Sequence, residues 1–119
     1  MAEIMVLDDV LDAGIMIKKI LERKGHRVHA FTEEEEALDF AASHDVDCAI
    51  LDIKLKKMTG IEVLEELQKL GKDIRIIMLT GYPSIETARH ALRFGAAEYC
   101  VKPIEKDELE EKVETVLSG

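Results

Sequence analysis

The chain has no tryptophan and only two tyrosines and three phenylalanines in 119 residues, so few side chains are available to sandwich the ring of a flavin. It has two prolines while apolar residues make up 47 % of it, which excludes a disordered, collagen-like or linker-rich chain. The only two cysteines, Cys48 and Cys100, sit inside short, mostly apolar runs, where a thiol acts as a small hydrophobe rather than a redox centre. Basic residues are also in deficit: 16 Lys and Arg against 25 Asp and Glu leave a net charge of −9. That balance argues against wrapping a polyanion, so no direct nucleic-acid partner is expected. No apolar run approaches the roughly 18 residues of a membrane span. Met1 leads into a core-like strand rather than a signal peptide, so a soluble, cytoplasmic protein without a membrane partner is expected.

What remains is a chain of common single-domain length, and residues 1–119 read as one domain around one core. Short apolar stretches alternate with stretches of helical period in five rounds, which implies a parallel sheet covered by helices. The expected strands are Glu3 to Leu7, Arg27 to Ala30, Cys48 to Leu51, Ile74 to Leu79 and Ala97 to Val101, continuous apolar runs because both faces are buried. Helices are expected over Ala13 to Lys24, Glu33 to His44, Ile61 to Leu70, Ile85 to Phe94 and Lys106 to Leu117, with Ile17, Ile20 and Leu21 as a stripe on the first. Thr32 with Glu35, and Thr59 with Glu62, have capping-box spacing, and Gly25, Gly71 and Gly95 stand where helices end. The four glutamates from Glu33 to Glu36 read as complementing a helix dipole. His26, His29, His44 and His90 share no ligand spacing with a supporting carboxylate and read as surface or packing residues.

In an open parallel sheet, ligands gather beyond the carboxyl ends of the strands. Those ends carry Asp8-Asp9, Asp52, Thr80-Gly81 and Lys102-Pro103. Three carboxylates at one spot repel one another unless a cation neutralises them. Oxygen-only ligands point to Mg²⁺, with Mn²⁺ as the alternative, and Mg²⁺ leaves room for Asp52 to act as a nucleophile toward phosphorus. A phosphoryl group in transfer needs a cation on one side and donors on the others. Lys102 and Thr80 supply donors, and the backbone N–H groups of Lys54 and Gly81 complete the cradle if their loops turn inward.

These positions resemble the signature of the receiver domains of bacterial two-component response regulators, similar to the chemotaxis response regulator. The likeness runs through Leu51-Asp52-Ile53-Lys54-Leu55 with Met58-Thr59-Gly60, Met78-Leu79-Thr80-Gly81-Tyr82, and Gly95-Ala96-Ala97-Glu98-Tyr99 before Lys102-Pro103. It implies an α/β, doubly wound, flavodoxin-like fold: a five-stranded parallel sheet of order 2-1-3-4-5 with five flanking helices. By the same resemblance Asp9, Asp52 and the Lys54 carbonyl bind Mg²⁺, Asp8 acts largely through water, and Asp52 takes phosphate from a sensor histidine kinase or phosphotransfer protein. Thr80 and Tyr99 match the family's switch positions. The fourth helix, fifth strand and fifth helix would dock a downstream protein, an output domain or a second copy. The Lys102-Pro103 bond resembles the family's cis peptide.

Val10 stands where an acidic or amide residue commonly follows the Asp pair, and Lys56 replaces a usual proline; neither removes a group that would touch metal or phosphate. Lys54 and Tyr82 lie at positions that in this family flank the route of an attacking water. An aspartyl-phosphate phosphatase or mutase usually needs a second acid two residues after its nucleophile, and Lys54 stands there. A flavin carrier would need a hydroxyl-rich phosphate loop, and a phosphate-independent receiver would usually lose Asp52 or Lys102. With nothing after Leu117 to form an output domain, the chain either works alone by docking or is a piece of a longer regulator.

Overall fold

Strands form where both faces of the backbone ribbon can be buried, and the apolar runs meet that condition. In the computed structural model, which describes residues 1–119, the elements alternate strictly. They are β1 (Glu3–Leu7), α1 (Leu11–Glu22), β2 (Arg27–Phe31), α2 (Glu34–Ser43), β3 (Cys48–Leu51), α3 (Gly60–Lys69), β4 (Arg75–Thr80), α4 (Ile85–Arg93), β5 (Glu98–Val101) and α5 (Lys106–Ser118). All neighbouring strands are parallel, in the order β2-β1-β3-β4-β5. Leu7 lies opposite Phe31 and Leu51, Leu51 opposite Met78, and Thr80 opposite Val101. The carboxyl ends of the strands therefore finish at one rim, as expected for a doubly wound sheet. No helix is long and apolar enough to cross a membrane.

Side chains alternate across each strand, and that alternation divides the interior in two. Met5, Leu7, Ala49, Leu51, Ile76 and Met78 face α2 and α3, where Ala37, Ala41, Val63, Leu64 and Leu67 close a cluster of 17 buried residues. Ile4, Val6, Cys48, Ile50, Ile77 and Leu79 face the other way, against Ile17 and Leu21 of α1 and Leu109, Val113 and Val116 of α5. Ile20 packs at the edge of that second cluster, so the expected stripe on α1 is its buried face.

Boundaries differ from expectation by one or two residues, for local reasons. Helix α1 starts at Leu11 because Asp8 Oδ1 accepts the Val10 N–H (2.9 Å) and bends the chain into the helix; Val10 is the N-cap and makes no side-chain cap bond. The Thr59–Glu62 capping box forms in both directions, Thr59 Oγ1 accepting the Glu62 N–H (3.1 Å) and Glu62 Oε1 the Thr59 N–H (2.9 Å). The Thr32–Glu35 box does not form. Glu33 is the N-cap of α2, with no side-chain cap bond, because the helix begins one residue later than that spacing requires. Gly25, Gly71 and Gly95 all have positive φ, and the Lys102-Pro103 bond is cis.

Both thiols are buried. Burial, with the charge of Asp47 adding to it, pushes the Cys48 thiol up to about 12, and burial likewise raises Cys100. Since the thiolate is the reactive form, neither cysteine is expected to react with a disulfide reagent at about pH 8 until the chain is denatured. Rapid labelling of the native protein at either position would contradict the packing described.

Candidate functional site

The rim is assembled by strand ends that remain paired beyond their last strand residue. The Asp8 N–H donates to the Phe31 carbonyl (3.1 Å), the Asp52 N–H to the Leu7 carbonyl (3.0 Å) and the Lys102 N–H to the Thr80 carbonyl (2.8 Å). Backbone pairing thus fixes where the three charged residues leave the sheet. Asp8 and Asp52 are buried and Asp9 half-buried, and a carboxylate oxygen from each lies within 4.8 Å of the others.

Lys102 closes the cluster. Its Nζ donates to Asp8 Oδ2 at 2.6 Å and to Asp52 Oδ2 at 3.2 Å. Burial alone would lower its pKa, but the bond to Asp8, the Asp8 charge and then Asp52 outweigh that, so the ammonium is held above its ordinary range. Asp52 Oδ1 accepts the Lys54 N–H at 3.3 Å. The buried Thr80 keeps its hydroxyl at the rim, accepting the Tyr82 N–H at 2.9 Å. Gly81 is exposed beside it. The expected residues Asp8, Asp9, Asp52, Lys54 and Lys102 are therefore brought together, and Thr80 is tied to Lys102 through the backbone. Tyr99 is engaged elsewhere: its hydroxyl bonds Thr87 Oγ1 (2.7 Å) and accepts the Ser84 N–H (3.3 Å) at the start of α4.

Two loops flank the cluster. The Lys54 ammonium stands 4.3 Å from the centroid of the exposed Tyr82 ring, a cation–π pair joining the β3–α3 loop to the β4–α4 loop. The β3–α3 loop is closed at its base by an antiparallel bridge between Lys54 and Thr59 and by the Gly60 N–H donating to Ile53 (2.7 Å). Its tip is held by a residue that the sequence marks only as one of the Glu33–Glu36 run. Glu34, 1 % exposed, accepts the backbone N–H groups of Lys57 and Met58 (2.8 Å to the latter). Glu33 pairs with Lys56 at 3.2 Å, an exposed contact of little energetic weight. The Glu33–Glu36 run is therefore more than a dipole complement. The signal was available in the helical period, since Glu34, Ala37 and Ala41 fall on one buried face of α2.

The remaining polar clusters lie apart from this rim. A cleft of about 530 Å³ opens at the other end of the sheet, beside His26, Asp47, Arg75 and Glu114. Its side chains serve the fold: His26 Nδ1 accepts the Ala2 N–H, Asp47 accepts the Glu3 N–H, and Arg75 donates to the Val116 and Leu117 carbonyls at the end of α5. His29 bonds Glu3 (2.9 Å), and both it and His44 pack on Phe40. His90 is exposed on α4. The rim, not the cleft, holds the convergent charged groups.

Comparison with known proteins points to one family. Residues 4–114 match the family described as the response regulator receiver domain. The chain is 30 % identical over 116 residues to the transcriptional regulatory protein ZraR of Escherichia coli K12, covering 98 % of this chain but 26 % of that protein. It thus spans about a quarter of the length of that relative. It is 26 % identical over 115 residues to the sporulation initiation phosphotransferase F of Bacillus subtilis, covering 97 % of this chain and 93 % of that one. The crystal structure of a CheY-like response regulator receiver domain protein from Methanospirillum hungatei JF-1 superposes with a TM-score of 0.96 at 34 % identity, over 99 % of this chain and 94 % of the other.

Proposed function

The chain belongs to the response regulator receiver domain family, whose members accept a phosphoryl group in two-component signal transduction, and from that premise we propose that Asp52 is the acceptor. The observation that carries the assignment is the Lys102 ammonium seated between Asp8 and Asp52, within a cluster of three carboxylates. Of the three, Asp52 stands at the centre of the sheet, next to the N–H of Lys54 and the cation of Lys102. In the transfer, an Asp52 oxygen bonds to phosphorus as the donor's phosphorus–nitrogen bond breaks; the bonding pair stays on that nitrogen and the proton on the other ring nitrogen, leaving the donor histidine neutral and Asp52 as an acyl phosphate. Lys102 and Thr80, with the backbone N–H groups of Lys54 and Gly81, would then face the phosphoryl oxygens.

Receiver domains generally bind Mg²⁺, and the donor set here suits it: three carboxylates, all oxygen, on a buried rim. Asp9, Asp52 and the carbonyl of Lys54 would hold the ion directly and Asp8 largely through water. When bound, the ion supplies charge neutralisation for the transferring group. The domain is a regulatory phospho-acceptor, and the only reactions we assign to it are its own phosphorylation and dephosphorylation. Lys54, where a phosphatase would want an acid, is turned onto Tyr82, which supports that assignment.

Receiver domains partner with histidine kinases and output domains. For this chain the donor would be a sensor histidine kinase or a phosphotransfer protein in the cytoplasm. Residues 1–119 would act as one domain, and the responding surface would be α4, β5 and α5. Exposed Ile85, Leu92 and Val101 on that face support docking of a downstream protein, an output domain or a second copy. Its coupling to the rim would run through Thr80 and Tyr99, because Tyr99 is bonded to the first turn of α4.

Intact mass after incubation with acetyl phosphate tests this. One alkali-labile phosphate should appear with Mg²⁺ and none with excess EDTA. No gain under any metal condition would make a phosphate-independent docking domain the better account.

A further inference from the structure

The β3–α3 loop carries Lys54, whose N–H touches Asp52, yet the tip Leu55-Lys56-Lys57-Met58 contains no proline to stiffen it. Two tip amides, on Lys57 and Met58, point out of the loop and need an acceptor. They find it in one oxygen of Glu34, 23 and 24 residues away in sequence. The tip is thus fixed from α2, while the Lys54–Thr59 bridge and the Gly60 bond fix its base.

As a contribution to folding alone, Glu34 is a poor choice. It lies on the same buried face of α2 as Ala37 and Ala41, and its other oxygen, Oε1, is buried without a hydrogen-bond partner. Leaving one oxygen of a buried carboxylate unpaired costs stability, and what Glu34 gives in return goes to the two amides of the β3–α3 loop. Burial pushes this carboxyl up, but the N–H groups of Lys57, Glu34 itself and Met58, together with the Lys57 charge, more than offset it. The group stays ionised, with its charge directed at the loop.

We propose that Glu34 is a positioning residue for phosphoryl acceptance, holding the β3–α3 loop through the Lys57 and Met58 amides so that the Lys54 backbone stays against Asp52. The inference rests on the assignment of Asp52 as the acceptor. It adds a requirement which the rim residues alone do not supply: the loop's placement is set by a carboxylate outside the rim. Small displacements of groups around a reacting centre are expensive, up to about 100-fold for about 1 Å.

The test compares the parent with Glu34→Ala, the isosteric Glu34→Gln, and Glu36→Ala, which removes the same charge from an exposed position on the same turn. The readouts are the rate of acetyl phosphate-dependent phosphorylation as a function of Mg²⁺, the thermal midpoint, and amide exchange at Lys57 and Met58. Glu34→Ala should slow phosphorylation about 10-fold and raise the Mg²⁺ concentration for half-maximal rate, with faster exchange at both amides. Glu34→Gln keeps one acceptor oxygen and should lose about 3-fold, so a decisive comparison survives even if Glu34→Ala fails to fold. Glu36→Ala should match the parent. Phosphorylation at the parent's rate and Mg²⁺ dependence in folded Glu34→Ala, or in Glu34→Gln where the alanine variant does not fold, overturns the inference, whatever the amides do, and so does an equal loss in Glu36→Ala. A parent that takes no phosphate overturns the assignment of Asp52 and this inference together, a signature distinct from either.

Discussion

An Asp52→Asn variant is expected to accept phosphate at a rate more than about 100-fold below the parent while remaining folded. Asparagine has nearly the same shape, and its carbonyl oxygen can still accept the Lys54 N–H now seen at 3.3 Å. An amide oxygen, however, lacks the charge that makes a carboxylate attack phosphorus. The fold should survive because the substitution removes one of three crowded carboxylates, easing repulsion, while Lys102 retains Asp8 at 2.6 Å. Intact mass after acetyl phosphate treatment and a thermal melt give both readings on one sample. Phosphate gain in the variant would move the acceptor elsewhere, with Asp8 and Asp9 the first positions to replace.

A Gly60→Ala variant is expected to lose about 3 kcal/mol or more of stability, lowering the thermal midpoint by about 10 °C. Gly60 opens α3, where alanine would ordinarily gain about 0.5–1 kcal/mol over glycine. The sign reverses because an added Cβ would overlap the Asp52 carbonyl oxygen and lie 2.8 Å from Ile53 Cα. Both are backbone atoms, which cannot swing aside as a flexible side chain would. Any relief must move the strand end that carries Asp52, so phosphorylation should fall along with stability. Thermal denaturation followed by circular dichroism checks the first effect. A midpoint at or above the parent's would mean that α3 and the end of β3 separate at little cost.

The strands were legible because β1, β3 and β4 are buried on both faces and so read as unbroken apolar runs. That same continuity hides which residue faces which helix layer: nothing in the run Ile4-Met5-Val6-Leu7 tells that Met5 and Leu7 meet α2 and α3 while Ile4 and Val6 meet α1 and α5. The rim residues were legible because a parallel sheet delivers its strand ends to one edge, so position along the chain is enough to bring them together. Glu34 was legible only in part: its place with Ala37 and Ala41 marks it as facing inward, but its partners are amides on another element and amides leave no mark in a sequence. Similarly, Thr32 and Glu35 have cap spacing, but spacing alone did not place the first turn; α2 starts after Glu33 instead.

The ammonium of Lys102, lodged between Asp8 and Asp52, makes the domain its own counter-ion. Three acidic groups packed within 4.8 Å would otherwise strain the very edge on which they sit. With a positive charge built into the chain, the fold need not wait for a dissolved ion. A divalent cation bound by the same carboxylates would compete with the lysine for them, and mass action would set how far that exchange proceeds. On the proposed function, ionic conditions would then govern how ready the domain is to react, and the built-in charge would leave its assembly independent of them.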